Sequence, residues 1–337
     1  MPMSSPQVAV LVAAYNAHAS LPRCLDSLRA QTLADIEVLC VDDSSTDDTY
    51  ALLRSYAQRD PRFKVLRTPV NSGQAMARNM ALNFVHAPFV CMVDADDWLS
   101  PDCLQLAVDV FRQHPATDCV AFRLMLTDDQ GNERDYGLPT ALAQGRAMSG
   151  NEAFEACMDG WQLHGLYLTR TELHKQYPFD TATRLYSDDN TSRLHYLHSR
   201  EVRACQGIYY YRQHSQSMTN SFNLHRFDLM EANLSLLAAL RKEPHVSAEV
   251  MQRFEGSRWM TFLSCYRLFL KHETELTTGQ KAELRQRFVK VLNTFSRHTL
   301  RLKYRWRPGY WLLSWPKLFE AQQRFYRFVR LHIGKND

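Results

Sequence analysis

Carboxylates recur in this chain where apolar runs stop. Phe89-Val90-Cys91-Met92-Val93 gives way to Asp94-Ala95-Asp96-Asp97, three acids in four residues. A core does not collect unpaired carboxylates, because burying one costs several kcal/mol. Oxygen ligands at the end of a strand suit a hard divalent cation, Mg2+ or Mn2+. The plainer reading is a polar strand-to-loop turn, where Asp is common. Two more acid groups stand out. Asp42-Asp43 follows Ile36-Glu37-Val38-Leu39-Cys40-Val41, and Asp188-Asp189 lies within Tyr186-Ser187-Asp188-Asp189-Asn190. An acid of the latter kind can serve as a general base or cap a helix.

The elements that must hold these acids alternate. Val8-Ala9-Val10-Leu11-Val12-Ala13-Ala14 is an unbroken apolar run, the pattern of a strand buried on both faces of a parallel sheet. Tyr15-Asn16-Ala17-His18 turns the chain, and Ser20 is expected to cap a helix with Pro22 in its first turn. A strand over 36–41, a helix reaching Arg59, a strand at Phe63-Lys64-Val65-Leu66 and a helix after Asn71-Ser72-Gly73-Gln74 lead to the strand at 89–93. Four strands alternating with three helices make βαβ units and a mostly parallel sheet. Such sheets bind ligands at the carboxyl ends of their strands. Asn16, Asp42, Asp43, Asp94, Asp96 and Asp97 all fall there. No Gly-x-Gly-x-x-Gly follows the first strand and no Gly-x-x-x-x-Gly-Lys occurs, which excludes a dinucleotide dehydrogenase and a P-loop enzyme. A rim of acids instead implies a metal between protein and phosphate.

Val12-Ala13-Ala14-Tyr15-Asn16, Val41-Asp42-Asp43-Ser44-Ser45-Thr46-Asp47, Ala77-Arg78-Asn79 and Asp94-Ala95-Asp96-Asp97 resemble, in order and spacing, the motifs of family 2 glycosyltransferases. These are inverting enzymes of the GT-A fold that use nucleotide-sugar donors. The likeness is close over residues 7–105 and looser as far as residue 220. Ala14 departs from it, standing where many relatives carry proline. The resemblance implies an α/β fold with a mostly parallel sheet flanked by helices. It implies a nucleotide-sugar site at Ala14, Tyr15, Asn16, Asp42, Asp43, Arg78, Asp94 and Ala95. Asp43, or Asp42 beside it, would accept a hydrogen bond from the base, and uracil N3–H makes a UDP-sugar the favoured donor. Asp94 would face the ribose and Asp96 the Mn2+ or Mg2+ that bridges the phosphates. For Arg78 the rival is a solvated helix cation.

In family members an acidic pair, often Glu-Asp, opens a helix later in the domain, and its second acid is the base. By that likeness Asp189 is the expected base and Asp188 replaces the usual Glu; a capping pair is the rival. The run from Ile208 to Thr219 resembles the end of the catalytic domain. Arg212 and His214 are expected on the diphosphate there, with His214 also a candidate metal ligand. Trp161 and His164, in Gly160-Trp161-Gln162-Leu163-His164-Gly165, are expected to line an acceptor pocket, since sugars stack on aromatic rings. A buried Trp with a neighbouring histidine is the competing reading.

With 337 residues, 45% hydrophobic and 23% charged, the chain suits one large domain or two unequal ones. Its eight cysteines include no Cys-x-x-Cys pair, which excludes a zinc framework and points to a reducing cytosol. The first residues lack the basic region of a secretory signal. No apolar run has the ~18 residues that a membrane span needs. Residues 301–337 hold nine Lys/Arg against two Asp/Glu, while the rest of the chain holds 31 against 34. The whole positive excess therefore lies in this tail, together with nine aromatic residues that include Trp306, Trp311 and Trp315. A basic, Trp-rich segment suits an anionic membrane surface. An ordinary core-covering helix or a nucleic-acid patch is the alternative; the membrane is favoured, and no nucleic acid is expected.

A GT-A catalytic domain is thus expected over 1–220, with a nucleotide-sugar half at 1–105 and an acceptor half at 106–220. Residues 130–150 read as a mobile insertion. A helical region follows at 221–300, with helices at 229–240, 246–272 and 279–299, covering the catalytic domain or making a homo-oligomer contact. The basic aromatic tail occupies 301–337. The expected activity is hexosyl transfer from a UDP-sugar to a glycan or lipid-linked glycan, in bacterial surface-polysaccharide synthesis (lipopolysaccharide or capsule). The expected place is the cytoplasmic face of the cell membrane. A receiver-like signalling domain and a non-catalytic sugar- or membrane-binding protein are the rivals.

Overall fold

The computed structural model describes residues 5–158, 160–213, 222–244, 246–307 and 309–332. The chain divides into two compact units, residues 1–223 and 224–337. In the first, β1 (Val8–Ala14), α1 (Leu21–Arg29), β2 (Ile36–Asp42), α2 (Thr49–Arg59), β3 (Phe63–Arg67), α3 (Gln74–Leu82) and β4 (Phe89–Met92) form three βα repeats closed by a fourth strand. They are followed by β5 (Trp98–Leu99), α4 (Cys103–Gln113), β6 (Thr117–Asp128), β7 (Glu133–Asp135), α5 (Thr140–Ala143) and α6 (Gly150–Ala156). The unit ends with β8 (Tyr167–Arg170), α7 (Thr171–Gln176), α8 (Ser187–Leu197) and β9 (Glu201–Gln213).

These strands make one sheet in the order β3-β2-β1-β4-β8-β6-β9-β5, with β7 added beside β6. The first four are parallel, β8 runs antiparallel to both β4 and β6, and β9 is again parallel to β6. Continuous apolar strands are needed because helices cover both faces. Val8, Val10 and Val12 of β1 pack with α1, α2 and α4, whereas Ala9 and Leu11 pack with α3. The register pairs Ala14 with Asp42 and Leu11 with Met92. The loops after β1, β2 and β4 therefore open on one rim.

Three expectations change. Ser20 precedes α1, but its hydroxyl donates to the Ala17 carbonyl at 3.3 Å instead of accepting from the helix. Pro22 and the loop geometry start that helix without a side-chain cap. The 130–150 stretch forms β7, α5 and the capped start of α6, with Leu142 and Met148 buried. Its apolar contacts are spaced irregularly, which hid them from a periodicity test. The helix expected over 279–299 stops at Leu292.

The second unit holds α9 (Asp228–Leu240), α10 (Ala248–His272), α11 (Thr278–Leu292) and α12 (Pro316–His332). Ser247 caps α10, and a Thr277–Gln280 capping box starts α11. Trp259, Phe262, Tyr266, Phe288 and Phe319 form its aromatic core. Tyr310 and Phe319 of the tail are buried in this unit, while Trp306, Trp311, Trp315, Phe325 and Phe328 are exposed. Among the described residues no helix is long and apolar enough to cross a membrane.

Candidate active site

The loops after β1 and β2 lock together. The Asn16 backbone, at φ +47°, donates its N–H to Ser45 Oγ at 3.0 Å, and Asn16 Oδ1 accepts the Thr46 N–H at 2.9 Å. The Ala14 carbonyl accepts the Asp43 N–H at 2.8 Å, and Tyr15 stands exposed beside it. Asp42 and Asp43 are both buried, but they do different work. Asp42 is tied to Arg67 Nε at 3.0 Å, bracing β2 against β3. Asp43 accepts from Thr68 Oγ1 at 2.8 Å and the Ser72 N–H at 2.9 Å through Oδ1, and from the Gly73 N–H at 2.7 Å through Oδ2. Gly73 sits at φ +87°, a conformation that glycine adopts freely, and it leads directly into α3. A carboxylate has about four lone-pair sites, so Asp43 keeps one acceptor site on Oδ2.

The Asp94–Asp97 turn is held from two sides. Arg78 is 1% exposed, so it is no solvated helix cation; its Nη2 pairs with Asp94 Oδ1. Asn79 exchanges two 2.9 Å hydrogen bonds with the Phe179 backbone, tying α3 to the segment before α8. On the other side, Tyr209 of β9 accepts the Asp94 N–H at 3.1 Å and donates to Asp97 Oδ2 at 2.8 Å. Asp97 Oδ1 also accepts the Arg212 N–H at 2.8 Å. Asp97 is therefore a buried strut between the turn and β9, neither a helix cap nor a rim ligand. Burial, with Asp94 and Asp96 close by, holds its carboxyl well above the usual carboxylate range.

Asp94 is also raised. Burial pushes it up, Arg78 pulls it down, and Asp96 and Asp188 push it up again. Asp188, far away in sequence, thus shares an electrostatic field with the turn. Crowded carboxylates repel one another and make a ready place for a cation. Mg2+ uses one or two protein carboxylates, completed by phosphate and water, so Asp94 and Asp96 fit such an ion without a full protein cage. Among the described residues no group of three metal-ligating side chains converges. His214 lies outside the described residues.

Asp188 and Asp189 occupy the first turn of α8 after Tyr186 at φ +67°. Burial raises the Asp189 carboxyl to about 7, Asp188 adds to the rise, and Arg193 opposes it. An acid with that value is matched to proton abstraction near neutrality. Trp161 sits at φ +53°, its carbonyl accepting from Tyr136 Oη at 2.6 Å. His164 is buried, and burial lowers its imidazole to about 4. Arg212 directs its guanidinium to Asp129, with Nη2 2.7 Å from Oδ1, and only its backbone meets the acid turn. Sequence reasoning gave no role to Tyr209, Asn79 or Arg193. The Asn79 position belongs to the Ala77-Arg78-Asn79 motif; the other two carry no local signal.

A mostly parallel sheet flanked by helices, with acids at the carboxyl ends of its strands, has the architecture of the GT-A fold. The family model for "Glycosyl transferase family 2" matches residues 9–167. The match takes in just under half of the chain, and over those residues the chain is similar to family 2 glycosyltransferases. It is similar to "Putative glycosyltransferase EpsH" of Bacillus subtilis (strain 168), 29% identical over 245 residues, covering 70% of each chain. It is 34% identical over 127 residues to "Chondroitin synthase" of Escherichia coli, covering 38% of this chain and 18% of that one. In fold it is similar to S. aureus TarS 1-349 in complex with UDP-GlcNAc, with a TM-score of 0.74 at 19% identity, over 95% of this chain and 91% of the other.

Proposed function

We propose that this enzyme transfers a sugar, with inversion, from a UDP-sugar to a hydroxyl of a glycan or lipid-linked glycan in bacterial surface-polysaccharide synthesis. The observation that carries the reading is that Asp188 lines one pocket with Val90, Cys91 and Met92 of the strand leading into the Asp94–Asp97 turn, which supports a single site for the donor rim and the acid pair. Asp189 takes the acceptor proton as the hydroxyl attacks the anomeric carbon, and UDP leaves from the opposite face. Asp43 is the better candidate for the uracil N3–H, since Asp42 is closed by Arg67. Arg78, with Nε and Nη1 unpartnered, supplies positive charge on the donor side. Asp96, with Asp94, would hold Mg2+ or Mn2+, and a bound ion there offsets the charge that grows on the departing diphosphate. The TarS complex with UDP-GlcNAc supports the donor class, and the chondroitin synthase likeness supports a polysaccharide product. A screen of UDP- and GDP-sugars with Mn2+, read as nucleotide release, tests this; turnover with GDP-sugars alone would overturn the donor assignment.

The exposed tryptophans and phenylalanines of the second unit, among nine Lys/Arg in residues 301–337, support a peripheral site on an anionic membrane surface at the cytoplasmic side. Each basic residue near such a surface adds about 1 kcal/mol. Sedimentation with anionic liposomes should therefore weaken steeply with salt; equal binding to neutral liposomes would refute it.

A further inference from the structure

Arg193 follows Asp189 by one helical turn on α8, so the two side chains leave the same face of that helix. It is 5% exposed, and its guanidinium lies 4.4 Å from the centroid of the Trp161 ring. Nε and Nη1 are buried without a hydrogen-bond partner among the described residues. Taking a guanidinium out of water with two of its nitrogens unpartnered among the described residues is expensive, and folds rarely leave one so. Its charge is felt at Asp189, whose carboxyl it draws down.

The neighbouring wall has the same polarity. His164 Nδ1 accepts the Leu166 N–H at 3.2 Å, and burial keeps the ring neutral, so the ring proton sits on Nε2. That Nε2 is also buried without a partner. Trp161 is held at its positive φ while its carbonyl is bonded by Tyr136, whose ring meets His164 edge-on at 6.0 Å. A residue at positive φ, with a buried cation over its ring and its carbonyl bonded by Tyr136, is the kind of local strain that folds keep at functional sites.

We propose that Arg193, stacked on Trp161 one turn from Asp189, is an acceptor-side anion site, and that the natural acceptor carries a negative group close to the hydroxyl that reacts. The inference rests on the reading of Asp189 as the base, because that is what makes this side of the cleft the acceptor side. A carboxylate of an acidic sugar and a phosphate both present paired oxygens to a guanidinium, and the chemistry shared by the two is what Arg193 recognises.

The test is ligand-observed saturation-transfer NMR on the full chain saturated with UDP and Mg2+. The probes are methyl glucuronide against methyl glucoside, and glycerol 3-phosphate against glycerol. The wild-type protein is expected to bind at least one anionic member about ten-fold more tightly than its neutral partner, the scale of one charge-assisted hydrogen bond. The first pair reports a carboxylate source and the second a phosphate source. Arg193→Met should erase the preference and Arg193→Lys should keep part of it, with UDP affinity unchanged in both as the sign of an intact fold. Asp189→Asn should keep the preference, so failure of the base assignment, read in turnover, is separable from failure of the anion site, read in binding. Equal binding of charged and neutral probes by the wild type, or a preference that survives in Arg193→Met, overturns the proposal. Loss of UDP affinity in Arg193→Met would place the arginine on the donor side and overturn it equally.

Discussion

Two buried arginines, one on α3 and one on α8, are built on different terms. Arg78 on α3 is 1% exposed, lies 5.3 Å from the Phe179 ring and is neutralised by Asp94. Arg193 on α8 is 5% exposed, lies 4.4 Å from the Trp161 ring and has no partner for Nε or Nη1 among the described residues. Each lies close to an aromatic ring and an aspartate, and each keeps Nε and Nη1 unpartnered among the described residues; Arg78 has in addition an ion pair, through Nη2 to Asp94. The donor rim is closed by its own ties: Asp43 to the 68–73 loop, Asp42 to Arg67, Asp97 to Tyr209. The acceptor wall leaves donors waiting. A site for one class of nucleotide can be completed in advance, whereas a site that selects the acceptor must keep bonds in reserve for it.

The largest effect expected on this contrast is chemical. Asp189→Asn removes the base while keeping its shape, and turnover should fall about 10²- to 10⁴-fold, with UDP affinity retained. Turnover within a few-fold of wild type would move the base elsewhere and dissolve the distinction between the two sides. Next in size is stability. Arg78→Met strips the half-buried Asp94 of its counter-charge, and urea unfolding should show a loss of about 1–3 kcal/mol. Arg193→Met removes a charge with no partner to strand, so it should stay within about 1 kcal/mol of wild type. Equal losses in the two variants would make Arg193 a structural cation like Arg78.

The parts of this contrast that could be read from the sequence are those carried by local pattern. Unbroken apolar runs ending in Asp43 and Asp94 fixed the parallel sheet and its rim, because a strand buried on both faces leaves no other reading of Val8–Ala14. The acid pair at 188–189 is expected at a helix start only through the family resemblance, and it does lie in the first turn of α8. Partnership did not show. Tyr209 lies 112 positions after Asp97 in the chain, and nothing in Tyr209-Tyr210-Tyr211 says which ring turns inward. Arg78 and Arg193 look alike as helix cations until the fold buries both. Asp42 and Asp43 are indistinguishable in sequence, and the β3 register that hands Asp42 to Arg67 separates them. Tyr209→Phe tests such a tie directly. It deletes the hydroxyl shared by the Asp94 amide and Asp97, and should lower stability by about 1–3 kcal/mol. A neutral result would mean that the acid turn holds its shape without β9.

The smallest effect expected is also the one that reads both sides at once. Asp189 must be deprotonated to accept a proton, so activity is present above its pKa and lost as pH falls through about 7 in the free enzyme. Burial is the main cause of that raised value and the negative charge of Asp188 the next, while Arg193 works against them. Asp188→Asn removes one raising influence, so the acid limb of kcat/KM should move to lower pH, by on the order of one unit. Arg193→Met removes the lowering influence, so the limb should move to higher pH by a similar or smaller amount. Opposite shifts from two neutralising substitutions around one carboxylate are hard to obtain from any other titrating group. If both variants moved the limb in the same direction, a group outside α8 would be setting the profile, and the acceptor side would have to be assigned again from its ligands.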